Sequence, residues 1–304
     1  MDKKNLGYTK PLFILPFDHR GTFFKKMYNV SEQDAKPEVF EQIKEFKKII
    51  YEGFETAVRA GIPKDQAAIL VDEQFGDEII RDALSRGHTV IYTTEKSGQD
   101  EFDFEYGEQF GEHIEKYKPQ VVKALLRYNP EGDPELNRRQ RYRLKILGDY
   151  CHAHGHKFLI EPLIPATDAQ LDAVSGSGER YDDEVRPKLM TVMMQELQKD
   201  GVEPDIWKIE GLNKRSDYVA VLQTARADGR DHVSAVILGR NASVEQVERW
   251  LTAGKGLPGV VGFAIGRTIF WEALLAFKEN KLDRAAAVEK IAKSYKHFYD
   301  LFVI

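Results

Sequence analysis

The sequence predicts an α/β chain closed into a single (β/α)8 TIM barrel, and three observations carry that expectation. Eight short apolar runs, rich in β-branched and aromatic residues, alternate with amphipathic stretches at helical spacing. Few of the runs show the in–out alternation of half-exposed strands, as expected of parallel strands covered by helices. Elaboration sits after the strands and not after the helices, which is where a barrel carries its ligand-binding loops. A doubly wound open sheet competes with this reading, but eight strand–helix units favour closure.

The elements follow in order. The first strand is LFILPF (12–17), and the amphipathic stretch 37–60 covers it; AAILVD (67–72) follows the short connection AGIPKDQ and precedes a helix at 75–86. After the connection SRG comes HTVIYT (88–93), then the long segment TTEKSGQDEFDF and a helix at 104–116. QVVKALLRY (120–128) leads to a helix at 134–154, and the connection HAHGH returns to KFLIEPL (157–163). The long segment IPATDAQLDAVSGSGERYDD runs into a helix at 182–200, DIWKIEG (205–211) precedes one at 213–228, and SAVILG (234–239) precedes one at 243–254. VVGFAIG (260–266) is the last strand, before a helix at 268–279 and one extra helix at 284–301.

Composition narrows the function classes. Over 304 residues, 42% are hydrophobic and 31% charged, so one domain covering 1–304 can bury a sizeable core under a polar surface. A net charge of −5 in mixed-sign segments argues against nucleic acid as the main partner and leaves a small molecule. Cys151 is the lone cysteine, so no intramolecular disulfide can form. No apolar stretch approaches the length of a secretory h-region at the start or of a membrane span later, so no membrane partner is expected and the chain reads as cytoplasmic.

In a barrel the chemistry lies at the C-terminal ends of the strands, and the polar residues there form a short set. Asp18, His19 and Arg20 follow the first strand; Asp72 and Glu73 the second; Lys123 and Arg127 lie on the fourth; Glu161 is on the fifth; Lys208 and Glu210 are on the sixth; Arg240 and Arg267 follow the seventh and eighth. Side chains alternate along a strand, so Lys208 shares a face with Glu210, and Lys123 with Arg127. Lys208 is then either an ion-pair partner of Glu210 or a nucleophile. An amine attacks only when unprotonated, a state favoured by desolvation and by a second cation such as Lys123. Glu161, flanked by FLI and proline, is placed to move protons through carbinolamine and iminium. The structural alternatives are that Asp18 holds Arg20 or a loop, and that Lys123 belongs to a buried ion pair.

ILGRNAS and AIGRTIF each end an apolar strand on Gly-Arg before a helix, a combination that brings backbone N–H groups, a helix N-terminus and a guanidinium to an anion. Gly239, Gly266 and Arg267 therefore read as a phosphate site, against ordinary tight turns with surface arginines. Other signals are discounted. CHAHGH (151–156) precedes the fifth strand, on the wrong face for a metal at the active site, so no metal and no cofactor are expected. GSG (176–178) lacks the context of a dinucleotide fingerprint, and MTVMM (190–194) is core packing. DEFDFEYGEQFGE is a lid, an oligomer contact or, preferably, a solvated loop with buried aromatics.

PLFILPFDHRG, FLIEPL, DIWKIEG and GFAIGRTIFWEA, in that order, resemble the aldolase-like domain at the C-terminus of bacterial proteins of inositol breakdown, where it follows a 5-dehydro-2-deoxygluconokinase domain. More distantly, the chain is similar to class I tagatose 1,6-bisphosphate aldolases. The resemblance covers nearly the whole chain, although these 304 residues carry no kinase domain. It implies a metal-independent, Schiff-base lyase with Lys208 as nucleophile, Glu161 as acid/base, Asp18 and Lys123 as orienting groups, and Arg267 on phosphate. The implied substrate is 2-deoxy-5-keto-D-gluconate 6-phosphate, cleaved to dihydroxyacetone phosphate and malonate semialdehyde, with Arg127 and Arg20 as position-based contacts for its carboxylate. A neutral ketose phosphate substrate and a non-catalytic phosphosugar-binding barrel stand as alternatives. Oligomeric state is left open, with room for a homo-oligomer and for action alongside a sugar-acid kinase.

Overall fold

The apolar runs form strands β1 (Leu12–Pro16), β2 (Ala67–Val71), β3 (Thr89–Thr93), β4 (Val121–Arg127), β5 (Lys157–Leu163), β6 (Ile206–Glu210), β7 (Ser234–Leu238) and β8 (Val260–Ala264) in a computed structural model that describes residues 3–303. Each strand pairs in parallel with the next, and β8 pairs back onto β1, so the barrel is closed as expected. Its ring of helices comprises α1 (Pro37–Arg59), α2 (Glu73–Ser85), α3 (Phe110–Tyr117), α4 (Pro134–Ala153), α5 (Arg186–Lys199), α6 (Arg215–Ala225), α7 (Val244–Gly254) and α8 (Arg267–Lys278), followed by α9 (Arg284–Val303).

Local chemistry sets several of these boundaries. Asp72 accepts from the Phe75 N–H at 2.9 Å, which starts α2 two residues before the expected point. Asp133 caps α4 through the Glu135 and Leu136 N–H groups, with Pro134 at the first helical position, where a missing N–H costs nothing. The helix expected at 104–116 begins only at Phe110, because 94–105 folds back on itself: Lys96 N–H donates to Asp103 O (3.0 Å) and Glu105 N–H to Thr94 O (2.9 Å). Phe102 and Phe104 are buried beneath this hairpin, as the preferred reading of that stretch expected. The long segment after β5 holds an unanticipated helix, Asp168–Ala173, fixed by a Thr167/Gln170 capping box.

Two apolar cores result. The larger lies between strands and helices and includes the buried methionines 190, 193 and 194 of α5. The smaller plugs the lower barrel with Leu12, Ile14, Ala68, Leu70, Ile91, Val121, Leu159, Ile206 and Val236. Period-two alternation carries this inward face upward from Val121 to Lys123, from Leu159 to Glu161 and from Ile206 to Lys208. The apolar plug is thus the floor on which the charged residues stand.

α9 packs along α1 and closes the outer layer. Arg284 grips Glu52 (2.6 Å), and the Tyr295 hydroxyl donates to the Phe13 carbonyl of β1 at 2.6 Å. The Tyr299 ring stands edge-on to Phe13 at 4.9 Å, and Tyr295 packs on Phe263 of β8. α9 therefore covers the seam where β1 meets β8. No helix among the described residues is long and apolar enough to cross a membrane.

Candidate active site

A cavity of about 320 Å3 opens at the C-terminal ends of the strands. Its lining includes Asp18, His19, Arg20, Lys123, Arg127, Glu161, Lys208, Gly239, Gly266 and Arg267, so the residues chosen from the sequence converge on one space. The barrel register explains the convergence. Leu159 of β5 pairs with Ile206 of β6, and two residues further along both strands Glu161 stands beside Lys208.

Five strands or the loops that leave them contribute to the charged centre: β1 (Asp18), β3 (Glu95), β4 (Lys123), β5 (Glu161) and β6 (Lys208). Glu161 Oε1 accepts from Lys208 Nζ at 2.6 Å, and its Oε2 lies 3.1 Å from Lys123 Nζ. Lys123 also reaches Asp18 Oδ2 at 2.8 Å and the carboxylate of Glu95. Lys123 and Lys208 are 1% and 4% exposed, so these contacts form in a desolvated setting where charge pairing is strong. The two lysines are not equivalent. All three ammonium hydrogens of Lys123 have a carboxylate to meet, whereas Lys208 has one.

The electrostatics follow this geometry. Burial alone would depress Lys123, but Asp18, Glu95 and Glu161 outweigh it and raise its pKa, so it remains cationic across the physiological range. Burial would raise Glu161, yet Lys208 and Lys123 hold its carboxyl below the usual carboxylate range. Asp18 behaves alike: Lys123, His19 and Lys208 overcome its burial and keep it well below its ordinary value. The centre thus holds ionised carboxylates beside a fixed cation.

Glu95 was missed at the sequence level, although a signal existed. Ile91 and Thr93 carry the inward parity of β3, and Glu95 extends it by two residues. Besides Lys123 it accepts the Leu125 N–H at 3.2 Å, so it ties β3 to β4.

Glu210 is not the partner of Lys208. Its Oε2 accepts the Ile164 N–H at 3.0 Å and lies 3.6 Å from Arg186, while Oε1 meets Arg240 Nε at 3.0 Å. The reason is height: Glu210 is one inward step above Lys208, level with the loops after β5 and β7. Arg240 also donates to Asp182 at 2.6 Å, so the arginine of the first Gly-Arg turn is internally neutralised. Arg20 differs from expectation in the same way. Its guanidinium bonds Glu105 at 2.7 Å and the Glu95 carbonyl, pinning the β3 hairpin over the cavity.

Two cavity arginines make no ion pair among the described residues. Arg267 opens α8, with Gly266 before it; a Cβ on Gly266 would stand 2.4 Å from the Pro16 carbonyl, which accounts for glycine there. Arg127, at the end of β4, donates only to the Gln99 carbonyl at the hairpin tip. In a closed eight-strand ring β4 and β8 face each other, so the two unpaired guanidinium groups flank the charged centre from opposite sides.

The remaining strand-end residues are structural. Asp72 pairs with the buried Lys47, and Glu73 receives Tyr92, His113 and Lys116 at 2.7 Å each. The histidines of 152–156 lie below the barrel, at the strand beginnings, as expected: His152 meets Asp205 (3.1 Å), His156 meets Glu115 (2.9 Å) and the Pro119 carbonyl, and His154 stacks on Tyr150. No group of three or more His, Cys, Asp or Glu among the described residues is arranged to hold a metal ion.

Comparison with known proteins adds three findings. A family model described as "Uncharacterized protein conserved in bacteria (DUF2090)" matches residues 4–303. Tagatose 1,6-diphosphate aldolases of Listeria monocytogenes serotype 4a and Listeria innocua serovar 6a are 24% identical over 201 residues. That match covers 64% of this chain and 54% of each Listeria protein, about half their length. Among solved structures, Cgl0159 from Corynebacterium glutamicum aligns over 96% of this chain and 88% of its own, with a TM-score of 0.53 and 16% identity. The YdjI aldolase from Escherichia coli K12 aligns over 84% and 87%, with a TM-score of 0.52 and 12% identity. At these identities the structural likenesses speak for the barrel alone.

Proposed function

This chain belongs to the DUF2090 family, and we propose that it is a class I, Schiff-base aldolase acting on a phosphorylated keto sugar acid. The observation that carries this reading is the carboxylate of Glu161 held between two buried lysines that differ in their remaining partners. Lys208 passes a proton to Glu161 across 2.6 Å and attacks the substrate ketone as the free amine. Protonated Glu161 returns the proton to the carbinolamine oxygen, which leaves as water and gives the iminium ion. The neighbouring C–C bond then breaks, its electron pair drawn into the iminium.

Lys123 is the fixed cation of this scheme. With three carboxylates around it and a raised pKa, it cannot supply a free amine at neutral pH, but it keeps Asp18 and Glu161 ionised. Arg267, with the Gly239 and Gly266 turns, suits a phosphate, and Arg127 across the mouth suits the anionic far end of the substrate. The proposed substrate is 2-deoxy-5-keto-D-gluconate 6-phosphate, giving dihydroxyacetone phosphate and malonate semialdehyde. The likeness to the Listeria enzymes favours a second reading, cleavage of tagatose 1,6-bisphosphate, in which Arg127 would meet a second phosphate.

Borohydride reduction in the presence of dihydroxyacetone phosphate, followed by peptide mass mapping, tests the mechanism. An adduct on Lys208 is expected. No adduct sinks the Schiff-base reading, and an adduct on Lys123 reassigns the nucleophile. A panel of phosphorylated keto acids and ketose bisphosphates separates the two substrate readings.

A further inference from the structure

The scheme above leaves one proton without a carrier. As the C–C bond breaks, the hydroxyl on the departing carbon must lose its proton to become an aldehyde. The charged groups near the centre are largely committed to protein partners. Asp18 and Glu95 are bound to Lys123, Glu161 to both lysines, Arg20 to Glu105, and Lys96 to Asp103.

Arg127 and Arg267 make no ion pair among the described residues but cannot take up a proton, so among the groups that can accept one His19 is the exception. Its Nδ1 is buried without a hydrogen-bond partner, and Nε2 bonds nothing among the described residues. The ring lines the cavity directly after Asp18 and stands edge-on to Phe270 at 6.3 Å, an apolar backing that leaves both nitrogens unclaimed. Burial drives the imidazole pKa down to about 3; Asp18 and Glu161 oppose that shift, while Arg267 and Lys208 reinforce it. At neutral pH the ring therefore offers one lone pair and one N–H.

We propose that His19 is the catalytic residue that accepts the substrate hydroxyl proton during C–C cleavage and returns it to the enamine carbon. The inference rests on the Schiff-base reading. An imidazole nitrogen takes the hydroxyl proton, and the O–H electron pair becomes the aldehyde C=O bond. The C–C pair moves into the enamine and neutralises the iminium nitrogen. The aldehyde leaves. The imidazolium then protonates the enamine carbon, restoring an iminium ion that water hydrolyses to the shorter ketone and the free Lys208 amine. The water consumed equals the water released when the first iminium formed. Phosphate seated on Arg267 neutralises one of the two cations that oppose protonation of the ring, so His19 becomes more basic when substrate is present.

The test uses the whole enzyme and three readouts: borohydride trapping of dihydroxyacetone phosphate, solvent-deuterium exchange into its hydroxyl-bearing carbon by NMR, and cleavage rate. In His19→Gln, trapping stays within about threefold of wild type, while exchange and cleavage fall by about 10²–10⁴-fold. His19→Ala, which leaves a ring-sized space, regains cleavage when free imidazole is added. Cleavage or exchange in His19→Gln within about fivefold of wild type overturns the proposal, as does an equal loss of trapping, which would make His19 a positioning residue for Lys208. Absence of trapping in the wild type overturns the Schiff-base reading itself, a result distinct from either.

Discussion

Replacing Glu161 with glutamine separates the chemistry of the centre from its packing. The side chain keeps its size and one acceptor oxygen, but two lysines compete for it. Lys123 retains Asp18 and Glu95, so the amide oxygen turns to Lys208 and the NH2 group faces Lys123 across the former 3.1 Å contact. One unfavourable donor–donor contact beside a still-compensated cation costs about 1–3 kcal/mol of stability. In the proposed scheme the catalytic loss is larger, because glutamine can neither take the Lys208 proton nor protonate the carbinolamine. General acid–base groups contribute about 10²–10⁴-fold, or about 2.7–5.5 kcal/mol in kcat/KM. Release of dihydroxyacetone phosphate, followed by coupled NADH oxidation, measures this, with urea unfolding run in parallel. A kcat/KM within about tenfold of wild type in a folded Glu161→Gln protein would refute the assignment of Glu161 as the proton carrier.

Four further outcomes are expected. Lys123→Met leaves three buried carboxylates without their shared cation and costs roughly 3–5 kcal/mol at pH 7, with stability recovering as the pH is lowered to about 4–5; denaturant titration at both pH values reads it. In the wild type the sign is opposite. Asp18 and Glu161 have folded-state pKa values below their unfolded ones, so their contribution is present above about pH 5 and drains as the pH falls below about 4, seen as an acid limb in Tm against pH. Arg267→Ala removes the charge-assisted bonds proposed to phosphate, worth about 1.5–3 kcal/mol, and raises KM by roughly 10–150-fold, with kcat changed far less, in steady-state kinetics. Arg127→Ala lowers the preference for substrates carrying a distal carboxylate, whereas Arg20→Ala loosens the β3 hairpin; unchanged preference in Arg127→Ala removes the carboxylate assignment.

The barrel and most of its centre were legible because both depend on short-range periodicity. Strand parity placed Lys123, Glu161 and Lys208 on the inward face, and the position of long connections identified the end that matters. What stayed hidden depends on relative height between strands, which parity alone does not encode. Glu210 shares the face of Lys208 yet stands a step above it and belongs to Arg240 and Ile164. Arg20 looked like a ligand group, and the Gly-Arg motif left Arg240 open between ligand and turn, because their partners Glu105 and Asp182 lie in long loops whose paths carry no periodic signal. Glu95 was lost to the assumption that β3 ends where its apolar run ends. The start of α3 failed for a related reason, since a hairpin built from Phe102 and Phe104 buries aromatic residues as a helix would.

The docking of α9 across the β1–β8 seam has a consequence for how the protein is made. β1 occupies residues 12–16, but its neighbour β8 spans 260–264 and the Tyr295 hydroxyl that binds the Phe13 carbonyl comes later still. At about 5–20 residues per second a ribosome needs roughly 10–50 s to deliver them after β1 has emerged. Throughout that interval one hydrogen-bonding edge of β1 and the ring of Phe13 have no native cover. The growing chain carries an open, apolar strand edge, the feature that most invites mispairing with other chains. Synthesis, more than the finished barrel, is therefore where this edge is open to mispairing, and a stall or truncation before α9 turns that passing exposure into a permanent one.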